Sequence, residues 1–427
     1  MLKGLNIKSE FIRSVMVLTS GTVIAQVISY AVTPLITRLF TPEDFGEIGV
    51  FMRVVAFLTA LGTARYEMTL PLPKSDHHAF QLFRLSLKIS FYTVFASLFF
   101  GLLYWVFTGL ENYTLVFVLF VAIATFFMIF KNIGTNWAIR TKAFKLISYS
   151  SVLTSVTSNG LKLITGSLGF GVIGLIMSTV IGTITGVSFY LIDYFKSKNS
   201  PAFSKSRAKM YVLSQKYKEF PKVNLPHTLI DSARELLIAF FLTYYLSTSL
   251  FGSYDLSFKM LKIPLLLIGT SIGQVLYQRA SEKFARNENI YPLLKRTVGS
   301  LFLISIIPFG IVYFWGEPLF VFVFGPEWKL AGQIASVISP WLMFNFIASS
   351  ISMIPTVINK LRWFFWIGLI TTVVQLLFFG LYPQIVSSFD LSPIQFFSTT
   401  SWVMTVIFAI VILWELALVK RIAFKVD

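Results

Sequence analysis

The sequence contains no cysteine and only three histidines among its 427 residues. The absence of cysteine excludes disulfides, thiolate metal sites and thiol catalysis. Charge is also scarce, because charged residues make up 13% of the chain and hydrophobic residues 56%, with a mean hydropathy of +0.75. So few charges cannot cover the surface of a soluble domain of this length, and we expect most of the chain to face lipid or neighbouring helices.

Acidic residues are outnumbered by basic ones, 19 to 36, which gives a net charge of +17. Such an excess can indicate nucleic-acid binding, but here the basic residues are not gathered in one soluble segment. If the N terminus is cytoplasmic, most of them lie in cytoplasmic turns, and the opposite loops hold one clear cation, Lys329. This asymmetry is the positive-inside pattern. It predicts a multi-pass membrane protein with both termini in the cytoplasm and no nucleic-acid partner.

Apolar segments long enough to cross a hydrocarbon core of about 30 Å recur along the whole chain. The first follows a short basic start and lacks a small-residue cleavage site, so we expect it to be a retained span. The loops on the outer side are short, which excludes an extracytoplasmic domain. The twelve expected spans are 14–40, 47–72, 81–108, 113–139, 146–168, 171–194, 223–247, 251–277, 297–323, 331–358, 362–382 and 394–418.

Two stretches at corresponding places in the chain, FGEIGVFMR at 45–53 and FGSYDLSFK at 251–259, begin with Phe-Gly and end in a cation. Each half holds six spans, an even number, so the halves would be parallel repeats related by an axis along the membrane normal. Transporters rock such repeats about a shared central cavity. The pattern predicts an all-α protein with an N-terminal lobe at 1–195, a basic cytoplasmic linker at 196–222 and a C-terminal lobe at 223–427.

Small residues recur every four positions on the sixth expected span, at Gly174, Ser178, Gly182 and Gly186. Residues with this spacing share one helix face. Such a face allows a neighbouring membrane helix to approach closely. We therefore expect these four residues to serve helix packing and not ligand binding.

Several basic residues lie inside the expected spans, where a bare charge costs at least about 2.5–3.5 kcal/mol. Asp255 and Lys259 are four residues apart on one helix face and can pair, whereas Arg53 has no acid near it in sequence. A cationic cavity would attract an anionic substrate, and the membrane favours a lipid with a charged head group. Purely structural ion pairs are the alternative. The cavity candidates are Arg53, Lys259, Lys262, Arg234, Arg65 and Lys162.

Acidic side chains inside the spans are candidates for ion coupling, because a carboxylate can bind a proton or a sodium ion in one state and release it in another. Each could instead be a partner in an ion pair. The sequence leaves both roles open. The candidates are Asp231, Glu235, Asp255 and Glu67.

Several segments resemble those of bacterial oligosaccharide flippases. They are ARYEMTLPLPKSDHHA at 64–79, FPKVNLPHTLIDSARELL at 220–237 and LKIPLLLIGTSIGQVLYQRASE at 261–282, with WAIRTKAFKLIS from Trp137 and FGPEWKLAG at 324–332. The resemblance covers most of the chain in order, and the IGQV run is its most specific part. The family is the O-antigen (Wzx-type) branch of the multidrug/oligosaccharidyl-lipid/polysaccharide (MOP) exporter superfamily. The ARE sequence at 233–235 departs from its pattern.

The resemblance implies a V-shaped, two-lobed bundle in the bacterial inner membrane. It implies transfer of an undecaprenyl-pyrophosphate-linked oligosaccharide, an O-antigen or similar surface polysaccharide repeat unit, from the cytoplasmic to the periplasmic leaflet. The implied mechanism is alternating access coupled to H+ or Na+, alongside other polysaccharide-assembly proteins and membrane lipid. No cofactor is implied. Candidate sugar contacts are Tyr66, Trp137, Tyr244 and Tyr245.

Two alternatives stay open. One is another MOP exporter, for a peptidoglycan lipid precursor or for drugs in exchange for cations. The other is a membrane enzyme such as a polysaccharide polymerase or ligase. An enzyme of that kind needs a sizeable outer loop with catalytic residues, and the expected outer loops are short and contain no histidine. We therefore expect the protein not to be an enzyme.

Overall fold

The computed structural model describes residues 21–110, 112–197, 207–264 and 268–423, and every regular element in these ranges is a helix. The all-α class predicted from the sequence is confirmed. The chain packs into two compact units, Met1–Ala239 and Phe240–Asp427. The predicted boundaries at 195 and 222 stay predictions. The described ranges leave out the basic start before residue 14, Glu111 and residues 198–206 of the predicted linker.

The first unit begins with α1 and α2, and the start of α2 is set by local side chains. The Thr41 hydroxyl accepts a hydrogen bond from the Asp44 amide, while the Asp44 carboxylate accepts one from the Thr41 amide. This capping box satisfies two amides that the first turn leaves open. The helices are α1 (Gly21–Ile36), α2 (Pro42–Leu61), α3 (Asp76–Phe107), α4 (Asn112–Arg140), α5 (Phe144–Ser167), α6 (Gly171–Ser197), α7 (Arg207–Lys216) and α8 (Leu225–Tyr245), with a 3₁₀ turn at Tyr66–Thr69 and a π turn at Phe220–Asn224.

The second unit contains the end of α8, from Phe240, and the remaining helices, of which α11 is bent. Its backbone leaves the helical region at Trp315, with φ −124° and ψ 20°, three residues before Pro318. Proline lacks an amide donor and crowds the preceding turn, which accounts for the bend. The helices are α9 (Thr248–Leu261), α10 (Thr270–Ala285), α11 (Tyr291–Phe324), α12 (Lys329–Ile351), α13 (Ile354–Val357), α14 (Leu361–Gly380), α15 (Tyr382–Phe389) and α16 (Pro393–Ala423).

Six helical segments in the described ranges are long and apolar enough to cross a membrane. A seventh is formed if α14 and α15, which meet at a 64° bend, count as one broken span. The other expected spans coincide with α1, α2, α5, α8 and the α9–α10 region, which are shorter or more polar, so the total of twelve stays a prediction. The six segments are Asp76–Phe107, Tyr113–Arg140, Gly171–Asp193, Tyr291–Phe324, Pro326–Val357 and Pro393–Arg421.

Two of the expected spans differ from single helices where the structure describes them. In the span expected at 251–277, α9 ends at Leu261 and Lys262 lies in a turn, after which Ile263 and Pro264 are again helical; residues 265–267 lie outside the described ranges. The span expected at 47–72 ends at Leu61 as α2, and the chain then turns through left-handed φ angles of 49° at Ala64 and 64° at Arg65.

Part of the segment predicted to be a polar linker packs against other elements of the first unit. Residues 207–216 form α7, whose Met210 and Leu213 are buried. Leu213 belongs to a core cluster with Tyr66, and the Tyr66 hydroxyl donates a hydrogen bond of 3.1 Å to the Ser214 carbonyl. Composition predicted a polar linker because the many cations of this segment outweigh its few apolar residues.

The small-residue face of α6 packs against α5, as predicted. The hydroxyls of Ser178 and Thr165 lie 3.2 Å apart across the two helices. A Cβ added at Gly182 would lie 2.6 Å from the Ser158 Cβ, which is too close for any residue larger than glycine. The two helices can therefore approach closely because α6 carries small residues at this face.

We expect Gly186→Ala to destabilise the first unit by about 1–3 kcal/mol, the usual range for overpacking. Its new methyl group would lie 1.9 Å from the Thr154 Oγ1 and 2.8 Å from the Ser150 carbonyl oxygen. Thermal unfolding in detergent measures the effect. Gly160→Ala on α5 is the matched control, because an added Cβ there meets nothing within 4 Å. Equal melting temperatures for the two variants would contradict the packing account.

Candidate functional site

Arg53 on α2 is joined to an acid that is distant in sequence. Its Nη1 donates to the Gly49 carbonyl oxygen at 3.2 Å, and its Nη2 lies 3.7 Å from Glu235 Oε2 on α8. The Glu235 carboxylate also accepts a hydrogen bond from Arg234 Nη2 at 3.3 Å. Two arginines therefore contact one carboxylate. The Arg53 side chain is 13% exposed.

Asp231, on the same helix as Glu235, contacts a different side chain. Its Oδ2 lies 3.6 Å from the imidazole Nδ1 of His227, and both side chains are more than half exposed. The acids of α8 are therefore divided between two contacts, since Asp231 lies against His227 and Glu235 lies against Arg53 of α2.

The second unit holds its own charged cluster at the C-terminal end of α9. Lys259 Nζ lies 2.5 Å from Asp255 Oδ2, as their spacing predicted, and the Asp255 side chain is 2% exposed while that of Lys259 is 54% exposed. Lys262, at the end of the same helix, lies with its Nζ 4.2 Å from the centre of the Phe258 ring. That arrangement is a cation–π contact. The cluster has two cations and one carboxylate.

Arg65 and Glu67 lie beyond the end of α2, where the sequence predicted that the helix would continue. The Arg65 Nη1 is 3.4 Å from Glu67 Oε1, and Glu67 Oε2 accepts a hydrogen bond from the Thr63 hydroxyl. Glu67 is buried. The left-handed backbone at Ala64 and Arg65 turns the chain away from the helix axis and places this pair beside the buried Tyr66.

The four aromatic candidates for sugar contact lie in two separate places. Trp137 packs edge-on against Phe80 and Phe83, in the cluster that also holds Tyr66. Tyr244 stacks on Phe240 with ring centres 5.6 Å apart and is 71% exposed.

Tyr245 stacks on Tyr382, with ring centres 6.2 Å apart, and both residues belong to the second unit. Of the four aromatic candidates, only Tyr244 is exposed. The role of these residues in sugar binding stays a prediction.

Lys162 lies half-buried on α5. The neighbouring Thr165 hydroxyl donates to the Leu161 carbonyl and contacts Ser178, so it serves the α5–α6 interface. A role for Lys162 in anion binding stays a prediction.

A buried acid that the sequence analysis did not single out lies on α16. The Glu415 side chain is buried, and its Oε2 has no hydrogen-bond partner in the described part of the chain. In the sequence, Glu415 is indicated only by being a single acidic residue within the apolar run VILWELALV. Among the described residues, no three histidine, aspartate or glutamate side chains are grouped so as to hold a metal ion.

Comparison with known proteins supplies a family and a fold. Residues 35–333 match the family model described as polysaccharide biosynthesis protein. No curated protein sequence matches the chain.

Solved structures also resemble the chain at low sequence identity, among them the following three. The lipid II flippase MurJ in an inward closed conformation has a TM-score of 0.69 and 16% identity, covering 95% of this chain and 89% of that one. An inward-facing multidrug resistance MATE family transporter of the MOP superfamily has a TM-score of 0.66 and 13% identity, covering 96% and 98%. A MOP superfamily transporter from Pyrococcus furiosus has a TM-score of 0.57 and 14% identity, covering 96% and 94%. At these identities the likeness shows a shared fold.

Proposed function

Because the chain belongs to the family of polysaccharide biosynthesis proteins and has the fold of MOP superfamily transporters, we propose that it is a lipid-linked oligosaccharide flippase. The substrate is an undecaprenyl-pyrophosphate-linked oligosaccharide, such as an O-antigen unit, which moves from the cytoplasmic to the periplasmic leaflet. The resemblance to the MOP superfamily that the sequence predicted is confirmed. The family and the fold are those of membrane exporters, in agreement with the prediction that the protein is not an enzyme.

The observation that carries the substrate class is the pair of guanidinium groups at Glu235. Arg53 and Arg234 both contact this carboxylate. A pyrophosphate brings at least two negative charges, and the guanidinium fork matches phosphate oxygens in two-point hydrogen bonds. An anionic head group can displace Glu235 from one of these arginines. The guanidinium released in this way is already in place, beside membrane-spanning helices, to donate hydrogen bonds to the phosphate. Lys259 and Lys262 place two further cations at the end of α9.

Coupling to an ion gradient is assigned in this proposal to the exposed acids of α8. Asp231 and Glu235 have side chains that are 52% and 36% exposed, so protons or sodium ions can reach them. Asp255 is buried and paired with Lys259. Glu67 is also buried, and it contacts Arg65 and the Thr63 hydroxyl. The proposed location is the bacterial inner membrane with both termini cytoplasmic, and alternating access is the proposed mechanism.

Deletion of the gene tests the substrate in cells. We expect an undecaprenyl-pyrophosphate-linked surface-polysaccharide unit to accumulate, because its synthesis continues on the cytoplasmic side while its transfer stops. Mass spectrometry of the extracted lipids identifies the accumulated glycan. The alternative, an exporter of a peptidoglycan lipid precursor, predicts accumulation of that precursor instead. Restoration by the wild-type chain is the control.

A further inference from the structure

Lys131 on α4 is a cation inside the first unit that has no negatively charged partner among the described residues. Its Nζ lies 3.4 Å from the hydroxyl of Thr154 on α5. In the part of the chain that the structure describes, this hydroxyl is the one partner of the ammonium. An ammonium has three N–H donors. Two donors, and the whole of the charge, are therefore left for a group that these residues do not supply.

The Lys131 ammonium is held between helices and does not reach the end of its own helix. Lys131 lies nine residues before Arg140, the last residue of α4, which corresponds to about 14 Å along the axis. Thr154 lies ten residues after Phe144, the first residue of α5. The contact therefore joins the interiors of two helices, where an unpaired charge is costly.

The polar groups around Lys131 are hydroxyls, which carry no negative charge. The Thr154 hydroxyl donates to the Ser150 carbonyl at 2.7 Å and so offers a lone pair to the ammonium. One turn after Lys131, the Thr135 hydroxyl donates to the Lys131 carbonyl at 2.8 Å and lies 3.1 Å from the Tyr190 hydroxyl of α6. These contacts position the ammonium, but they leave its charge without the pairing that buried charges require.

The alignment of α2 with α4 gives the position of Lys131 along the first unit. The rings of Phe51 and Phe117 have their centres 5.5 Å apart. Further along both helices, Gly62 lies against the Ile129 side chain. The two helices therefore run side by side in the same direction, and each α2 residue is level with the α4 residue that comes 66 or 67 positions later.

This alignment separates Lys131 from Arg53. Arg53 is level with about position 119 of α4, so Lys131 lies about 18 Å further along the helix. It lies toward the end of α4 that the positive-inside pattern predicts to be cytoplasmic. An anion that enters from that side would reach Lys131 before Arg53.

We propose that Lys131, held in place by Thr154, binds a phosphate group. An ammonium binds phosphate oxygens as a compact point charge, and Lys131 is partly exposed, so that an anion can reach it. The phosphate belongs either to a lipid head group or to inorganic phosphate in solution. As an entry point for the lipid-linked substrate the site rests on the proposed function, whereas as a phosphate site it rests on Lys131 and its surroundings.

Acylation of lysines, read by mass spectrometry, tests the site in the purified full-length protein without any substitution. In detergent, inorganic phosphate at about ten times its dissociation constant should slow the acylation of Lys131 about tenfold, and potassium chloride at equal ionic strength should not. In vesicles, undecaprenyl pyrophosphate is the lipid probe, and undecaprenol, which has no phosphate, is its control. Lys329 is the internal reference, because it pairs with Glu317 and is largely exposed.

Two substitutions at Lys131 test the charge itself. Lys131→Met removes it, and we expect the affinity for the protecting probe to fall at least about tenfold. Lys131→Arg keeps the charge, so we expect most of the affinity to remain. The rise in melting temperature that each probe causes measures the binding, and Lys329→Met is the matched control. If Lys131 does not react with the acylating reagent even without phosphate, this comparison decides the matter.

Protection by undecaprenyl pyrophosphate but not by undecaprenol assigns the phosphate to a lipid head group. Protection by inorganic phosphate alone supports the phosphate site and refutes its role in substrate entry. Protection by neither probe, or equal protection by undecaprenol and chloride, would overturn the proposal. If the protein flips its oligosaccharide while Lys131 stays unprotected, the site fails and the flippase stands. If Lys131 is protected in a protein that flips nothing, the phosphate site stands and the flippase is refuted.

Discussion

Replacing Arg53 with alanine is expected to lower the rate of oligosaccharide flipping at least about tenfold, equivalent to about 1.4 kcal/mol in the rate-limiting barrier. The variant removes a guanidinium that lies beside membrane helices and shares Glu235 with Arg234. Arg53→Lys keeps the charge but loses the fork that grips two phosphate oxygens, so we expect an intermediate rate. Flipping in reconstituted vesicles measures both.

Glu235→Gln separates anion binding from a structural ion pair at Arg53. If Arg53 serves only to pair with Glu235, this variant should change the binding of undecaprenyl pyrophosphate as Arg53→Ala does, because both break the 3.7 Å contact. If Arg53 binds the substrate, Glu235→Gln keeps the guanidinium and removes its competitor for the phosphate, so this binding should be retained or strengthened. Equal loss of binding in both variants would refute the substrate-binding role.

Replacing Lys259 with alanine is expected to destabilise the second unit by about 1–3 kcal/mol and to slow flipping. The change removes the nearest positive charge from the Asp255 carboxylate, which is 2% exposed. The half-exposed position of Lys259 keeps the expected loss below that of a fully buried pair. Chemical denaturation in detergent measures the stability, and the vesicle assay measures the flipping.

The double variant Asp255→Asn with Lys259→Met distinguishes the two effects. It removes both charges together, so we expect stability to return toward that of the wild-type protein. We expect flipping to stay low, because the cation that the proposal assigns to the substrate is still missing. Lys329→Ala is a control from the same unit, since Lys329 pairs with Glu317 at 3.3 Å and is largely exposed. Recovery of both stability and flipping in the double variant would show that Lys259 is only structural.

Much of the helical framework follows from hydropathy and spacing. The expected span at 113–139 is α4 at Asn112–Arg140, and that at 394–418 is the core of α16. The match is close because a membrane helix must satisfy its own backbone hydrogen bonds over the whole apolar length. The small-residue face of α6 was also predictable, since four-residue spacing directly places side chains on one face.

Charge partners were predictable only when they were local. The four-residue spacing of Asp255 and Lys259 predicted their contact, whereas the contact of Arg53 with Glu235 depends on how α2 and α8 pack. The sequence also placed the end of the second span at residue 72, whereas α2 ends at Leu61.

The most direct test of the flippase proposal is the leaflet distribution of a defined undecaprenyl-pyrophosphate-linked oligosaccharide in vesicles that contain the purified protein. A membrane-impermeant enzyme that modifies the sugar reports which leaflet holds it, with and without a proton or sodium gradient. The account predicts protein-dependent transfer between leaflets that accelerates under one of these gradients and is lost in Arg53→Ala. Transfer that is no faster than in protein-free vesicles under either gradient would contradict it.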